Sequence, residues 1–349
     1  MSKVFREFLK KVGSGSHTSK NLSRAEACEA ITLMLTQEAT PAQIGAFLIA
    51  HRIKRPSGAE LAGMLDAYDQ MGPQLAPLAG GKTVVILSQP YDGRTRTFPL
   101  VPLTALVLAT AGCPVLQHGG DRMPTKEGVP LVDIWRGLGI DWGSFALDDI
   151  HQIMSNTGLG FVYLPRHFPP AQALVPYREQ IGKRPPLATL ELIWSPYRGP
   201  YHGVVGFVHP PTETTIQEAL NLRGVVSFTT VKGLEGSCDL PPERTAIVGL
   251  HQLGHPLTRL CLHAQDYQLG GKAPLWTTLE EAVLTIDQTL LGQNTVLRPA
   301  LLWNSGFYLW QHTACESLSA GIAQAQELID TGKVRATLER LREHARSVY

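Results

Sequence analysis

The side chains best suited to chemistry in this sequence are basic, and they fall in clusters. A loop over residues 88–97 carries Arg94 and Arg96 beside Asp92 and Gly93. Some thirty positions on, Arg122, Thr125 and Lys126 follow one another closely. A guanidinium offers a planar fork to phosphate oxygens, and an ammonium offers a compact point charge. Brought together, Arg94, Arg96, Arg122 and Lys126 would form a basic rim able to hold phosphate. A second cluster lies at the start of the chain, where Lys3, Arg6, Lys10, Lys11, Lys20 and Arg24 face only Glu7. Such a stripe can bind phosphate backbones without sequence preference, or it can be a solvated helix face. The basic residues near the C-terminus, Lys333, Arg335, Arg340, Arg342 and Arg346, alternate with Glu339 and Glu343 and read as a salt-bridged surface helix.

These clusters need elements to position them. Residues 1–76 read as helices. Phe5, Phe8, Leu9 and Val12 recur at helical spacing, and Ser23/Glu26, Thr40-Pro41 and Ser57/Glu60 are helix starts. A Pro- and Gly-rich linker over 73–82 leads to Thr83–Leu87, a β-branched apolar run of the kind buried in parallel sheets. The loop 88–97, a helix over 103–109 and a strand over 114–116 complete a βαβ unit. Further strands are expected over 160–164, 190–194, 202–208, 224–231 and 246–250, and helices over 132–138, 148–154, 215–222, 279–290, 294–311, 318–331 and 334–347. The expected fold class is α/β: a small all-helical N-terminal domain (1–76, with a helical return near 168–184) and a larger doubly wound α/β domain (80–349).

Composition narrows the setting. With 349 residues, 44% of them hydrophobic, the chain can bury a sizeable core. A net charge of +1 gives no bulk pull toward nucleic acid or membrane. The five cysteines are widely spaced and none forms a C-x-x-C pair, so they are expected as reduced thiols in the cytoplasm. No apolar run approaches ~20 residues, so no membrane span is expected. The first residues lack the apolar stretch of a signal peptide.

Several stretches resemble the anthranilate phosphoribosyltransferase family across essentially the whole chain. These are Thr40–Ala50, Phe161–Pro165 with Val175–Arg178 and Ile181–Arg184, Asn304-Ser305-Gly306, and Glu316–Leu318 through Lys333. The resemblance implies a nucleoside-phosphorylase-like fold that dimerises through the helical module, with Phe5, Leu9, Ile44 and Phe47 as candidate contacts. It also locates four motifs.

The family's Gly-Thr-Gly-Gly-Asp loop binds phosphoribosyl pyrophosphate (PRPP) because bare glycine amides can approach a pyrophosphate. Here it corresponds to Ser88-Gln89-Pro90-Tyr91-Asp92-Gly93, where only Asp92 and Gly93 survive and Pro90 has no N–H. The Asn-x-Ser-Thr element corresponds to Pro99-Leu100-Val101-Pro102, with every polar group gone. Lys-His-Gly-Asn-Arg corresponds to Gln117-His118-Gly119-Gly120-Asp121-Arg122, which keeps His118 and Gly119. The magnesium-binding Asp-Glu pair corresponds to Cys238-Asp239, with Glu235 as an acidic neighbour. A soft thiol suits magnesium poorly, so Mg2+ is doubtful. Arg178 matches an arginine near the acceptor carboxylate, or it bridges the two domains.

The resemblance therefore implies a transferase-like protein with eroded PRPP and magnesium motifs. It is closest to paralogues that keep the fold, lose these motifs and bind nucleic acid across the dimer. The expected ligand is phosphate-rich, single-stranded nucleic acid being one form. The alternative is an active PRPP-dependent pentosyltransferase of tryptophan biosynthesis. In that reading Arg94, Arg96, His118, Arg122 and Lys126 hold phosphate, Asp92, Glu235 and Asp239 hold metal, and Arg178 holds the acceptor. A scaffold that uses only its dimer surface is a third option.

Overall fold

The computed structural model describes residues 3–15 and 17–347. Met1 and Ser2, part of the stretch read above as lacking a leader, lie outside the described residues. Helices open the chain where local caps dictate: α1 (Lys3–Val12), α2 (Arg24–Leu35), α3 (Pro41–Lys54) and α4 (Gly58–Met71). The last three each begin with a reciprocal capping box, at Ser23/Glu26, Thr40/Gln43 and Ser57/Glu60. Each such cap typically contributes about 1 kcal/mol. Glu60 does more than cap, since its buried carboxylate also accepts from Leu22 N (3.0 Å) and Lys54 Nζ (2.7 Å). Phe5, Ile31, Phe47, Leu61 and Tyr68 form one apolar cluster with Phe168, Leu174 and Trp194, which lie far along the sequence.

A seven-stranded sheet follows: β1 (Val84–Leu87), β2 (Val115–Gly119), β3 (Leu159–Tyr163), β4 (Tyr201–Gly206), β5 (Ser227–Val231), β6 (Ala246–Gln252) and β7 (Thr258–Leu262). The order is β3-β2-β1-β4-β5-β6-β7, parallel through β5 and antiparallel for β6 and β7. β1 is buried along its whole length, as an all-apolar strand in a covered sheet must be. Helix α5 (Val101–Thr110) carries the crossover from β1 to β2. The strand order reverses between β1 and β4, and ligands of doubly wound sheets bind outside the carboxyl ends of strands at such a point. Helices 279–290, 298–312, 318–330 and 333–347 close the fold.

Two expectations fail. Leu190–Trp194 is not a strand: Leu187–Ile193 is helical, and Pro186 stands at its N-terminal boundary. A short apolar run fits either element, and the proline decides. The strand expected from Gly224 begins only at Ser227, because Val226 is 65% exposed and outside the sheet. β7 gives no sequence signal because it is a half-exposed edge strand with no apolar run.

The helical module depends on close contact between α2 and α4. A Cβ on Gly63 would lie 2.0 Å from the carbonyl oxygen of Arg24. Gly63→Ala is therefore expected to destabilise the protein by about 1–3 kcal/mol, read as a lower urea midpoint.

Candidate functional site

Three segments leave the carboxyl ends of strands beside the switch point: 88–97 after β1, 120–129 after β2 and 232–239 after β5. They are interlocked. Arg94 N donates to the Val129 carbonyl (3.3 Å), Val129 N to the Arg94 carbonyl (2.8 Å), and Gly128 N to the Asp92 carbonyl (2.9 Å). This approach requires glycine at position 93, where φ is +74° and a Cβ would fall 2.3 Å from the Gly128 carbonyl carbon.

The polar groups of the first loop turn inward. The amides of Thr95, Arg96 and Thr97 donate to the Glu235 carboxylate at 3.3, 3.2 and 3.0 Å. The Thr97 hydroxyl donates to the same group at 2.7 Å. Burial alone would raise the Glu235 carboxyl. The Thr97 hydroxyl, the Thr95 and Thr97 amides and nearby Arg94 outweigh it and bring the pKa down to about 2. An internal carboxylate thus takes up these three amides.

Arg94 is fully buried, ion-paired with Asp239 and within hydrogen-bond reach of Thr97 Oγ1 (3.1 Å) and Ser237 Oγ (3.3 Å). Asp239 also accepts from Leu100 N (3.0 Å), just ahead of α5. Arg94 therefore does not belong to an exposed basic rim. Glu235 and Asp239 fit a magnesium site poorly in this arrangement, because protein donors occupy both Glu235 oxygens and the Arg94 cation and the Leu100 amide occupy Asp239 Oδ2. No group of three or more His, Cys, Asp or Glu able to hold a metal ion occurs among the described residues.

Domains of one family match both parts of the chain. The helical bundle domain of a glycosyl transferase family matches residues 6–72, and its a/b domain matches residues 92–335. The chain belongs to the anthranilate phosphoribosyltransferase family. An anthranilate phosphoribosyltransferase of Herpetosiphon aurantiacus is 28% identical over 326 residues, covering 92% of this chain and 94% of that protein. One from Brucella suis is 27% identical over 349 residues, 96% of each. Two solved structures share the fold. The anthranilate phosphoribosyltransferase of Thermus thermophilus has a TM-score of 0.78 at 20% identity, covering 99% of this chain and 100% of its own. That of Saccharomyces cerevisiae in complex with PRPP and Mg has a TM-score of 0.84 at 17% identity, covering 99% of each chain.

Within this family frame, the remaining site residues are also buried against one another. Tyr91 is 3% exposed, and its hydroxyl lies 2.5 Å from His118 Nδ1. Burial pulls the His118 pKa down to about 4, so the ring is neutral at pH 7 and brings no charge to a phosphate. Gly119, next along β2, places bare backbone against the Phe161 and Tyr91 rings. Arg178 is 2% exposed and ion-paired with Glu191, so a carboxylate of the protein already engages its guanidinium. Burial lowers its pKa to about 10, against the opposing pull of Tyr68 and Asp92. Asp92 is buried with no hydrogen bond to either oxygen; Arg184 Nε stands 3.6 Å away and Lys126 Nζ 4.0 Å.

Outside this closed interior, cations line the surface. The Arg96 side chain is 78% exposed. Lys126 Nζ reaches the Glu235 carbonyl (3.4 Å), and Arg52 Nε donates to the Arg184 carbonyl (3.1 Å). Arg52 meets Arg184, Arg184 and Lys126 flank Asp92, and Lys126 and Arg96 both stand beside Glu235, so the four adjoin one another in turn where the helices meet the sheet. Thr125, next to Lys126, is exposed. Arg122 stands apart, 3.7 Å from Asp133, in a recess with Pro124, Glu127 and Glu179. Sequence reasoning missed Arg52 and Arg184 as site residues; the Lys183-Arg184 pair was the available signal. The N-terminal stripe is half neutralised, since Lys10, Lys11 and Arg24 pair with Glu7, Glu26 and Asp66.

Two outcomes are expected. Arg94→Met leaves Asp239 buried without its partner and destabilises the protein by about 3–5 kcal/mol in urea unfolding, whereas Arg96→Ala changes stability by under about 0.5 kcal/mol. Acid should weaken the fold in two steps. His118 binds a proton near 6.5 when unfolded but near 4 when folded, so its contribution is complete above pH 6.5 and fades toward pH 4. Glu235 titrates near 4.5 unfolded and about 2 folded, so its contribution fades between pH 4.5 and 2. Urea midpoints measured across pH 2–7 check both, and Glu235→Gln should flatten the lower step.

Proposed function

We propose that this member of the family is a non-catalytic binding protein that holds a phosphate-rich polymer, single-stranded nucleic acid, on Arg52, Arg184, Lys126 and Arg96. The observation that carries the reading is the direction of the donors. Amides of the first loop are capped by Glu235 and Arg94 is paired with Asp239, whereas Arg52 and Arg96 are exposed and Lys126 and Arg184 stand half-buried beside Asp92. A compact diphosphate needs converging donors in a closed pocket, whereas a polyanion needs spaced charges along a surface. Magnesium has no part in this reading.

A homodimer through the helical module accompanies it, with altered contacts. Phe5, Ile44 and Phe47 are buried within the protomer and cannot reach a partner; Leu9 is half-buried. The surface offered instead is the outer face of α3 around Ile49 and the exposed Ile53, which lines an open groove of about 870 Å³ with Val12 and Ile181. Five free cysteines support a reducing, cytoplasmic setting, and no helix among the described residues is long and apolar enough to cross a membrane.

The competing reading is PRPP-dependent pentosyl transfer, the activity for which the relatives are named. One pair of measurements separates the two. Filter binding to a single-stranded oligonucleotide should weaken steeply between about 50 and 200 mM salt, and Arg52→Ala with Arg96→Ala should reduce the log–log slope by about 1.4. Calorimetry with PRPP and magnesium should give no binding heat. Turnover of PRPP and anthranilate at an ordinary enzymatic rate would overturn the proposal.

A further inference from the structure

The far end of the sheet holds a second site. Beneath the amino ends of β1, β4 and β5 lies a cavity of about 560 Å³, bounded also by α4 and the segment 193–201. This volume is in the range that takes a small organic ligand. It opens on the end of the strands opposite to the loops described above, so it is separate from the family's site. One part of its wall is apolar, formed by Leu65, Ile193, Val225 and Val226 with Tyr197 and Tyr201.

Three polar side chains of this wall can donate to a ligand. Gln74 Nε2 and Ser195 Oγ are buried with no hydrogen-bond partner. Arg198 is exposed at the rim, with no carboxylate within ion-pair distance among the described residues. The wall's carboxylate, Asp69, is taken by Arg223, which also binds Asp66. Ser227 Oγ already pairs with His202 Nδ1 at 2.9 Å. Two cations against one carboxylate leave the wall one positive charge in excess. Buried donors without acceptors are unfavourable, and a ligand that accepts from them removes the penalty.

We propose that this cavity binds a small carboxylic acid with a flat apolar body. The carboxylate sits against Arg198 and accepts from Ser195 and Gln74, whose unpartnered groups lie in the cavity's lining residues. The body lies between the tyrosine rings and the aliphatic wall, where flat apolar surface is best covered.

The test is calorimetry on the full chain with 2-naphthoate as probe and 2-naphthamide as its neutral counterpart. One equivalent of 2-naphthoate should bind with a submillimolar Kd, and the amide about ten-fold more weakly. Arg198→Gln should weaken the acid about ten-fold and leave the amide unchanged. Val226→Trp should abolish binding by filling the mouth, with an unaltered melting temperature because Val226 is 65% exposed. A single-stranded oligonucleotide should not compete. Absence of binding up to about 5 mM acid, equal affinity in both variants, or competition by the oligonucleotide would each overturn the assignment.

Discussion

The candidate site is organised by one buried electrostatic knot. The Glu235 carboxylate takes the amides of Thr95–Thr97, and the adjacent Arg94–Asp239 pair ties the same loop to the segment that follows β5. An ion pair removed from water is stable only when further hydrogen bonds complete it, and Thr97, Ser237 and the Leu100 amide do so here. With these groups fixed, Tyr91 closes over His118, and the crevice of the doubly wound sheet becomes core rather than cleft. The fold of the family is retained, and in this crevice Glu235, Arg94 and Asp239 find partners within the chain while the two Asp92 oxygens do not.

This arrangement divides the positive charges by accessibility. Arg94 and Arg178 belong to the interior and hold carboxylates of the protein itself. Arg96 and Arg52 remain exposed, and Lys126 and Arg184 stand half-buried beside Asp92. A near-neutral protein can thus present a locally basic track without a basic overall composition.

The elements are legible where their signals are local. The capping boxes at Ser23, Thr40 and Ser57 are contained within four residues each, and β1 announces itself as an unbroken apolar run. Leu190–Trp194 reads wrongly as a strand because a short apolar run carries no period. The position of the loop 88–97 follows from the strand before it, but not the direction its side chains take. Arg94 and Arg96 are two residues apart, and one is fully buried while the other is mostly exposed. Partners 139 to 145 residues away, Glu235 and Asp239, decide between them, and a single sequence does not show such pairings. Arg184 is hidden for the same reason, since it meets Asp92 only in three dimensions.

Asp92 has a consequence of its own. Its carboxylate is enclosed without a single hydrogen bond, while Lys126 approaches from the sheet side and Arg184 from the returning helical segment. Any movement that parts those two sides admits water to an anion that lacks it. The closed arrangement therefore contains its own incentive to breathe, and hydration of one acidic group would steady the parted form.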